Sequence, residues 1–429
     1  MTNALLLSAA LMTTPAVPAV SGPVTGPGMM YPNPPISIVP TAVKVEDFPY
    51  VTEEFFISGT AAGAPYTTRI IIRRPRDPRT FSGIVVGEAM HAGGRSLIFE
   101  WSRVSILTRH HIFAEIVHSP AQIQMLKTFN AERYAPLNIA MGQSNEIIAQ
   151  FGRLMKDPGL SGGVELLKGY FVKGVTLMGT SASSATVRSF LGVHGDLRMP
   201  DGAPIFNGYL LTSTLGNTPL PIVDVPIVQM PTQTEVAMYA AQGNGYRRPD
   251  SDVPGNRFRL YEVAGMPHNN SRDNPAFAND PCTLPVTDFP AGAFTALGLN
   301  YLIDWIEKGK APPHAPPIET ANGAVAVDEY GNAKGGVRNV FVDVPIAAYG
   351  VLAKGKTPQQ DRLCQLGGTK VMLSQQTLVK LYKNSDGYQK RVNARLKDLV
   401  KEGWFLPEYV DDIRKDAKGV QIESAEHRP

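Results

Sequence analysis

Residues 175–191, VTLMGTSASSATVRSFL, decide the predicted fold. The stretch begins as an apolar, β-branched run typical of a strand, turns through small residues and continues as an amphipathic helix. The helical part carries apolar residues at helical spacing: Val187, Phe190 and Leu191. In a strand–turn–helix elbow the residue at the tip is strained, and Gly179 lets strand and helix pack closely. The stretch therefore predicts a Ser181 hydroxyl at the carboxyl end of a sheet, beside a helix N-terminus.

The elbow pattern reads G-x-S-x-S, because Ser183 stands where G-x-S-x-G has its second glycine. Serine is nearly as small as glycine, so the turn can still close. A plainer interpretation is a capped helix start in which Ser181 or Ser183 is only the N-cap. The motif alone leaves both interpretations open.

The composition of the chain indicates which kinds of molecule it can bind. The chain has 429 residues, of which 43% are hydrophobic and 18% charged, as in an ordinary globular protein. The formal net charge is +3, and basic residues are scattered among acidic ones, so no nucleic-acid footprint is present. We expect a small-molecule substrate and no nucleic-acid partner; the oligomeric state stays open.

Residues 1–48 are rich in proline and glycine and predict a leader followed by an irregular arm. A signal peptide could occupy residues 1–21, although no Lys or Arg precedes its apolar run at 4–12. That run is too short to span a bilayer, so no membrane span is expected. The predicted location is periplasmic or secreted, with the cytoplasm as the alternative.

The two cysteines, Cys282 and Cys364, lack the C-x-x-C spacing of metal and redox motifs. In an exported protein they could form one disulfide, whereas in a cytoplasm they would be ordinary thiols. The sequence leaves both alternatives open.

Residues 49–310 predict an α/β core. An antiparallel pair, 55–59 with 67–72, is followed by apolar runs that alternate with helical segments. The predicted strands are 83–86, 112–117, 206–211, 226–230 and 258–263; the predicted helices are 96–109, 137–156 and 293–308. This order favours a mostly parallel sheet with helices on both faces. Residues 311–429 form a C-terminal extension, loop-rich and then helical from Ser374, which could cover the site.

A serine nucleophile needs a base that a carboxylate orients. In the α/β arrangement the acid and then the histidine follow the serine, each after the end of a strand. His268 lies on a Gly/Pro loop after strand 258–263 and has the right place in this order; alone it would be an ordinary loop histidine. Glu235 is the preferred acid, with Asp250 and Asp252 as alternatives.

The site also needs N–H donors for an oxyanion. The residue after the nucleophile, Ala182, supplies one, and the loop EAMHAGG at 88–94 supplies another through Met90 or His91. His91 could instead contact substrate or be a plain loop residue near Trp101.

The histidines at 110, 111 and 118 have no carboxylate or cysteine at ligand spacing, so no metal is expected. The predicted chemistry needs no organic cofactor either. The basic run 383–401 carries charge on every face and predicts a solvated helix.

Several segments together resemble the α/β-hydrolase domain family, a bacterial branch of the α/β-hydrolase fold. They are EEFFISGTA, NAERYAPL at 130–137, the elbow, EVAGMPH, DWIEKGKAPP and DEYGNAKGGVRNVFVDVP. The resemblance implies Ser181 as nucleophile and His268 as base. Relatives show a T-E-T-D-like stretch where this chain has TQTE, so Glu235 takes the aspartate position. His91 stands where relatives often have Asn, and Ser184 where Gly is usual.

These residues predict a serine hydrolase that cleaves a carboxylic ester through an acyl-enzyme. An acyltransferase or a C–C (diketone) hydrolase would use the same triad. A non-catalytic binding protein on this fold is the alternative from another class. The substrate is not fixed by the sequence or by the resemblance.

Overall fold

A nine-stranded sheet organises the fold of the computed structural model, which describes residues 12–31, 43–160, 164, 166–272 and 274–423. The strands are β1 (Ala19–Ser21), β2 (Tyr50–Ala61), β3 (Ala64–Pro75), β4 (Ile84–Ala89), β5 (Ile112–Ile116), β6 (Gly174–Thr180), β7 (Gly208–Thr212), β8 (Ile227–Met230) and β9 (Phe258–Leu260). Their spatial order is β1-β2-β3-β5-β4-β6-β7-β8-β9. The three contacts among β1, β2, β3 and β5 are antiparallel, and all contacts from β5 to β9 are parallel.

Helices cover both faces of this sheet, as the non-alternating apolar strands predict. The helices are α1 (Leu97–Thr108), α2 (Pro120–Phe129), α3 (Ser144–Lys156), α4 (Ala182–Leu191), α5 (Gln233–Tyr239), α6 (Ala291–Lys308), α7 (Val340–Asp343), α8 (Asp361–Leu366), α9 (Gln375–Tyr382), α10 (Ser385–Glu402) and α11 (Val410–Lys418). Val175 and Leu177 of β6 join one hydrophobic cluster with α3 and α4. Met178, on the opposite side of the same strand, joins a second cluster with α1 and α6. The predicted α/β architecture is therefore present.

Two predicted elements are clearly shorter than expected. The helix predicted over 137–156 begins only at Ser144, because Asn138 exchanges backbone hydrogen bonds of 2.7 and 2.9 Å with Thr67 of β3. The last strand stops at Leu260, and beyond it Val263 forms isolated bridges to Thr232 and to Val337 in the C-terminal region. For the helix, a partner distant in the sequence overrides the local periodicity.

The N-terminal arm is more ordered than predicted. Strand β1 pairs with β2 at the sheet edge, in the register Val20↔Ile57. The Arg133 guanidinium donates to the carbonyl oxygens of Val24 and Gly28 and to the buried Glu54 carboxylate. A buried carboxylate needs such a partner, and here the same arginine fastens the arm. Residues 1–11 of the predicted leader lie outside the described residues, so the leader stays a prediction.

The C-terminal extension packs on the core. Helices α9 to α11 contribute to the second hydrophobic cluster, beside α1 and α6. Two short strands, β12 (Ala347–Val351) and β13 (Gly368–Met372), form an antiparallel pair, and β10 (Thr320–Ala321) pairs with β11 (Ala324–Val325). In the described part of the chain, no helix is long and apolar enough to cross a membrane.

Cys282 and Cys364 form a disulfide, which decides between the two alternatives left open for them. The bond fastens α8 to the segment that follows the last sheet strand, and both residues are buried beside Phe277. The location of the protein stays a prediction.

Candidate active site

The elbow between β6 and α4 holds Ser181 in a conformation that few L residues adopt, with φ 51° and ψ −117°. Its N–H donates to the carbonyl oxygen of Thr212 on the neighbouring strand, at 3.1 Å. A Cβ on Gly179 would lie 2.3 Å from the carbonyl oxygen of Ser183, so only glycine fits there. The Ser181 side chain makes no capping hydrogen bond to α4. The capped-helix interpretation is therefore wrong for Ser181.

Ser183, the departure from the glycine pattern, closes the elbow. Its hydroxyl donates to the carbonyl oxygen of Thr180 and accepts from the Thr180 N–H, both at 2.9 Å. The next hydroxyl, that of Ser184, donates to the carbonyl oxygen of Ser181 at 2.6 Å. Two serines thus fix the backbone on either side of the half-buried Ser181.

Three side chains predicted from distant parts of the sequence meet above the elbow. Ser181 Oγ lies 2.8 Å from His268 Nε2, and His268 Nδ1 lies 2.5 Å from Glu235 Oε1. Glu235 is fully buried and His268 is 5% exposed. Because a carboxylate only accepts, the neutral imidazole carries its proton on Nδ1, which leaves Nε2 to accept from the serine hydroxyl. This is the hydrogen-bond order that activates a serine.

The TQTE stretch places the carboxylate. Glu235 is the third residue of α5 and forms a capping box, in which its Oε2 accepts from the N–H and hydroxyl of Thr232, both at 2.7 Å. Thr234 accepts a hydrogen bond from the N–H of His268, at 3.0 Å. The Gln233 amide accepts from the N–H of Gly265. One helix start therefore positions both the acid and the histidine loop.

The two alternative acids lie in other interactions. Asp250 accepts from the N–H of Leu260 and contacts the His314 imidazole at 2.9 Å. Asp252 pairs with Arg259 at 2.5 Å. Neither contacts His268, so Glu235 is the acid that the structure brings to the histidine.

The predicted oxyanion donors are only partly in place. Ala182 begins α4, so its N–H is one of the amide groups that a helix leaves without an internal partner. The N–H of Met90 instead donates to the carbonyl oxygen of Ile116, at 3.0 Å, and the N–H of His91 donates to that of Arg95, at 2.9 Å. The prediction that either backbone N–H is a free donor is wrong for this structure, because β5 and the turn of the loop itself use them.

The His91 side chain offers a donor that the sequence analysis did not identify. Its Nδ1 accepts from the N–H of Gly93 at 2.9 Å, so the neutral ring carries its proton on Nε2. Burial, the nearby His268 and Arg95 lower the pKa of His91 to about 4. The imidazole is therefore an uncharged N–H donor at neutral pH.

The family model described as "Alpha/beta hydrolase domain" matches residues 20–415. The chain belongs to this family. The resemblance and the fold class predicted from the sequence are thereby confirmed, and the coarse functional class that follows is hydrolase.

Three solved structures illustrate how far such similarity extends. An esterase from Pyrobaculum calidifontis is 11% identical at a TM-score of 0.29, over 49% of this chain and 75% of that one. Oligopeptidase B from Leishmania major is 11% identical at a TM-score of 0.33, over 52% of this chain and 34% of that one. Brefeldin A esterase, a bacterial homologue of human hormone sensitive lipase, is 10% identical at a TM-score of 0.25. The similarity covers 38% of this chain and 40% of that one. No curated protein matches the chain.

In this α/β hydrolase, Ser181 and His268 open into a cavity of about 280 Å³. Arg95, which pairs with Glu100, and Trp101 of α1 also line this cavity. The Trp101 indole N–H is buried and has no hydrogen-bond partner among the described residues. Sequence periodicity gives no signal for either residue, because Arg95 lies in the loop before α1 and Trp101 lies within an ordinary helix.

Two of the three histidines considered as metal ligands, His111 and His118, make structural hydrogen bonds. His111 Nδ1 lies 2.7 Å from the Ser82 hydroxyl. His118 contacts the Ser144 hydroxyl at 3.0 Å and the carbonyl oxygen of Met90 at 3.3 Å. Burial lowers their pKa values to about 3 and about 4, so both are neutral near pH 7. His118 thereby supports the loop that carries His91.

Proposed function

We propose that this α/β hydrolase is a carboxylic ester hydrolase that works through an acyl-enzyme. The observation that carries the proposal is the continuous hydrogen-bond chain from Ser181 Oγ through His268 to the buried Glu235 carboxylate. A serine hydroxyl is a weak nucleophile without such a base, and a buried carboxylate stabilises the imidazolium that forms.

The reaction has two halves. Ser181 Oγ attacks the ester carbonyl while His268 Nε2 takes its proton, and the imidazolium then returns that proton to the departing alcohol. Water next attacks the acyl-serine, giving its proton to His268, and the carboxylic acid leaves as Ser181 is reprotonated. Glu235 remains ionised in both halves and holds the ring in the productive tautomer.

Two N–H groups are proposed to hold the oxyanion: the backbone N–H of Ala182 and the imidazole Nε2–H of His91. The supporting observations are the position of Ala182 at the start of α4 and the cavity that His91 shares with Ser181 and His268. The family resemblance implies Asn at the position of His91. An amide and a neutral imidazole share the ability to donate a hydrogen bond, so the substitution keeps the chemistry.

The proposal is tested with p-nitrophenyl acetate and a fluorophosphonate probe. We expect hydrolysis with a burst of one p-nitrophenol per chain at early times if deacylation is the slower half, and one probe adduct, which peptide mapping places on Ser181 rather than on Ser183 or Ser184. Absence of both turnover and adduct would favour a non-catalytic binding protein. Formation of a new ester when alcohols are added would favour acyl transfer.

Replacement of His91 tests the second donor. We expect His91→Ala to lower kcat by about 10²- to 10³-fold, the usual cost of one oxyanion donor, with little change in KM. His91→Asn should recover most of the activity, because the amide donates in place of the imidazole. Full activity in His91→Ala would assign the second donor to another group.

A further inference from the structure

A second cavity, of about 680 Å³, adjoins the active site. Apolar side chains from three separate parts of the chain line it: Leu215, Met238, Leu352 and Leu366. Leu215 follows β7, Met238 lies on α5 one turn after Glu235, and Leu366 ends α8. The cavity is thus built on the elements that position the triad.

Leu366 joins the two cavities. It lines both the larger apolar cavity and the cavity that holds Ser181 and His268. Its carbonyl oxygen accepts a hydrogen bond of 2.9 Å from the N–H of Asn269, the residue after His268. The disulfide at Cys364 fixes α8 two residues away. The larger cavity therefore begins at a residue that also lines the cavity of Ser181.

Three of the lining side chains expose apolar surface to this space. Leu215, Met238 and Leu352 are 37%, 39% and 40% exposed. Leu352 also has φ 61°, a left-handed conformation that a leucine adopts only at a cost. Clustered exposed apolar side chains mark a binding surface more often than they occur by accident. An apolar group is the occupant that this lining favours.

Two cations stand at the same cavity. Lys354 and Arg362 line it, both are exposed, and neither has an ion-pair partner among the described residues. By contrast, the nearby Lys356 pairs with Asp280 at 2.6 Å. The cavity therefore combines an apolar lining with two positive charges, which matches an apolar chain that ends in an anion.

We propose that this cavity binds the remote part of the ester substrate, an apolar chain that carries a terminal carboxylate. The inference rests on the proposed function and names its substrate class. The chain passes Leu366 and contacts Leu215, Met238 and Leu352, while Lys354 and Arg362 bind the carboxylate. The carboxylate can belong to the acyl chain or to the alcohol chain.

Paired substrates test the proposal and separate these two sources. The acyl pair is p-nitrophenyl hydrogen suberate and p-nitrophenyl octanoate; the alcohol pair is the acetyl ester of 8-hydroxyoctanoate and octyl acetate. We expect kcat/KM to be about tenfold higher for the anionic member of one pair, as two partly screened charge contacts provide. The preference should fall as NaCl is raised. Equal kcat/KM within both pairs would overturn the proposal.

Variants locate the effect. Lys354→Gln combined with Arg362→Gln should abolish the preference and leave p-nitrophenyl acetate turnover unchanged. Lys390→Gln combined with Lys397→Gln removes the same charge from exposed positions on α10 and should keep the preference. If this control pair abolishes the preference equally, net charge and not the cavity is responsible.

Leu352→Gly tests the apolar contact without a folding penalty, because glycine suits the left-handed backbone. We expect it to raise KM several-fold for the octanoate ester and to leave the acetate ester unaffected; an unchanged KM for octanoate would contradict the apolar subsite. If the unmodified protein hydrolyses none of these esters, the proposed function itself is refuted. Turnover of the acetate ester without any preference would refute only this inference.

Discussion

Replacing Ser181 with alanine should lower turnover of p-nitrophenyl acetate by about 10⁵-fold or more, the usual loss when a serine nucleophile is removed. The Oγ atom is the only group of the elbow that contacts His268 Nε2, so no neighbouring hydroxyl can replace it. The remaining rate would come from the N–H groups that are proposed to hold the oxyanion. The measurement is kcat by p-nitrophenol release, with active enzyme quantified by fluorophosphonate labelling.

The fold should survive this change. Serine and alanine both carry a Cβ, so the strain at φ 51° is the same in both, and Gly179 keeps the close approach of the helix. We expect Tm to shift by no more than a few degrees. Ser189→Ala is a matched control, since that hydroxyl lies farther along α4 and accepts a hydrogen bond from the Asn145 amide, at 3.2 Å. Equal loss in both variants, or full activity in Ser181→Ala, would contradict the nucleophile assignment.

The elbow was predictable because its determinants are local. Gly179 and the small residues around Ser181 restrict the backbone within a few residues, and that restriction can be read from the sequence. The hydroxyl of Ser183, which bonds both the N–H and the carbonyl of Thr180, was not predicted. Its role depends on the turn geometry and not on the residue pattern.

The hydrogen bonds of the loop 88–94 could not be predicted from the local sequence. Whether Met90 and His91 have free N–H groups depends on Ile116, on a strand more than twenty residues later, and on the tight turn back to Arg95. Neither contact can be predicted from the periodicity of the sequence. The same limit applies to β1, which is three residues long and owes its pairing to β2. The described C-terminal helices likewise pack on the core through contacts that the sequence pattern does not predict.

The acid was recoverable from the sequence in part. The sequence gives Glu235 as the preferred acid and Asp250 and Asp252 as alternatives. The stretch Thr232-Gln233-Thr234-Glu235 also has the T-x-x-E pattern of a capping box, which would have fixed the glutamate at the third position of a helix. That local signal favours Glu235 on physical grounds, because a capped carboxylate directly after a strand has a defined orientation.

Glu235→Gln should lower kcat by about 10⁴-fold near pH 7, as loss of the acid does in other serine triads. The amide oxygen can still accept from the N–H of Thr232 and so keep the helix cap. The amide NH₂ then faces His268 Nδ1 and forces that nitrogen to accept. The ring proton moves to Nε2, which can no longer take the proton of Ser181.

Three variants isolate this effect from a loss of fold. Thr232→Ala removes one hydrogen bond to the same carboxylate and should cost about 1 kcal/mol of stability, the value of a helix cap, while most activity remains. Asp250→Asn and Asp252→Asn should retain full kcat, since those carboxylates contact His314 and Arg259. The measurements are kcat on p-nitrophenyl acetate and thermal unfolding by circular dichroism. A 10⁴-fold loss in either aspartate variant, with activity kept in Glu235→Gln, would move the acid away from α5 and leave the 2.5 Å contact to His268 without a catalytic role.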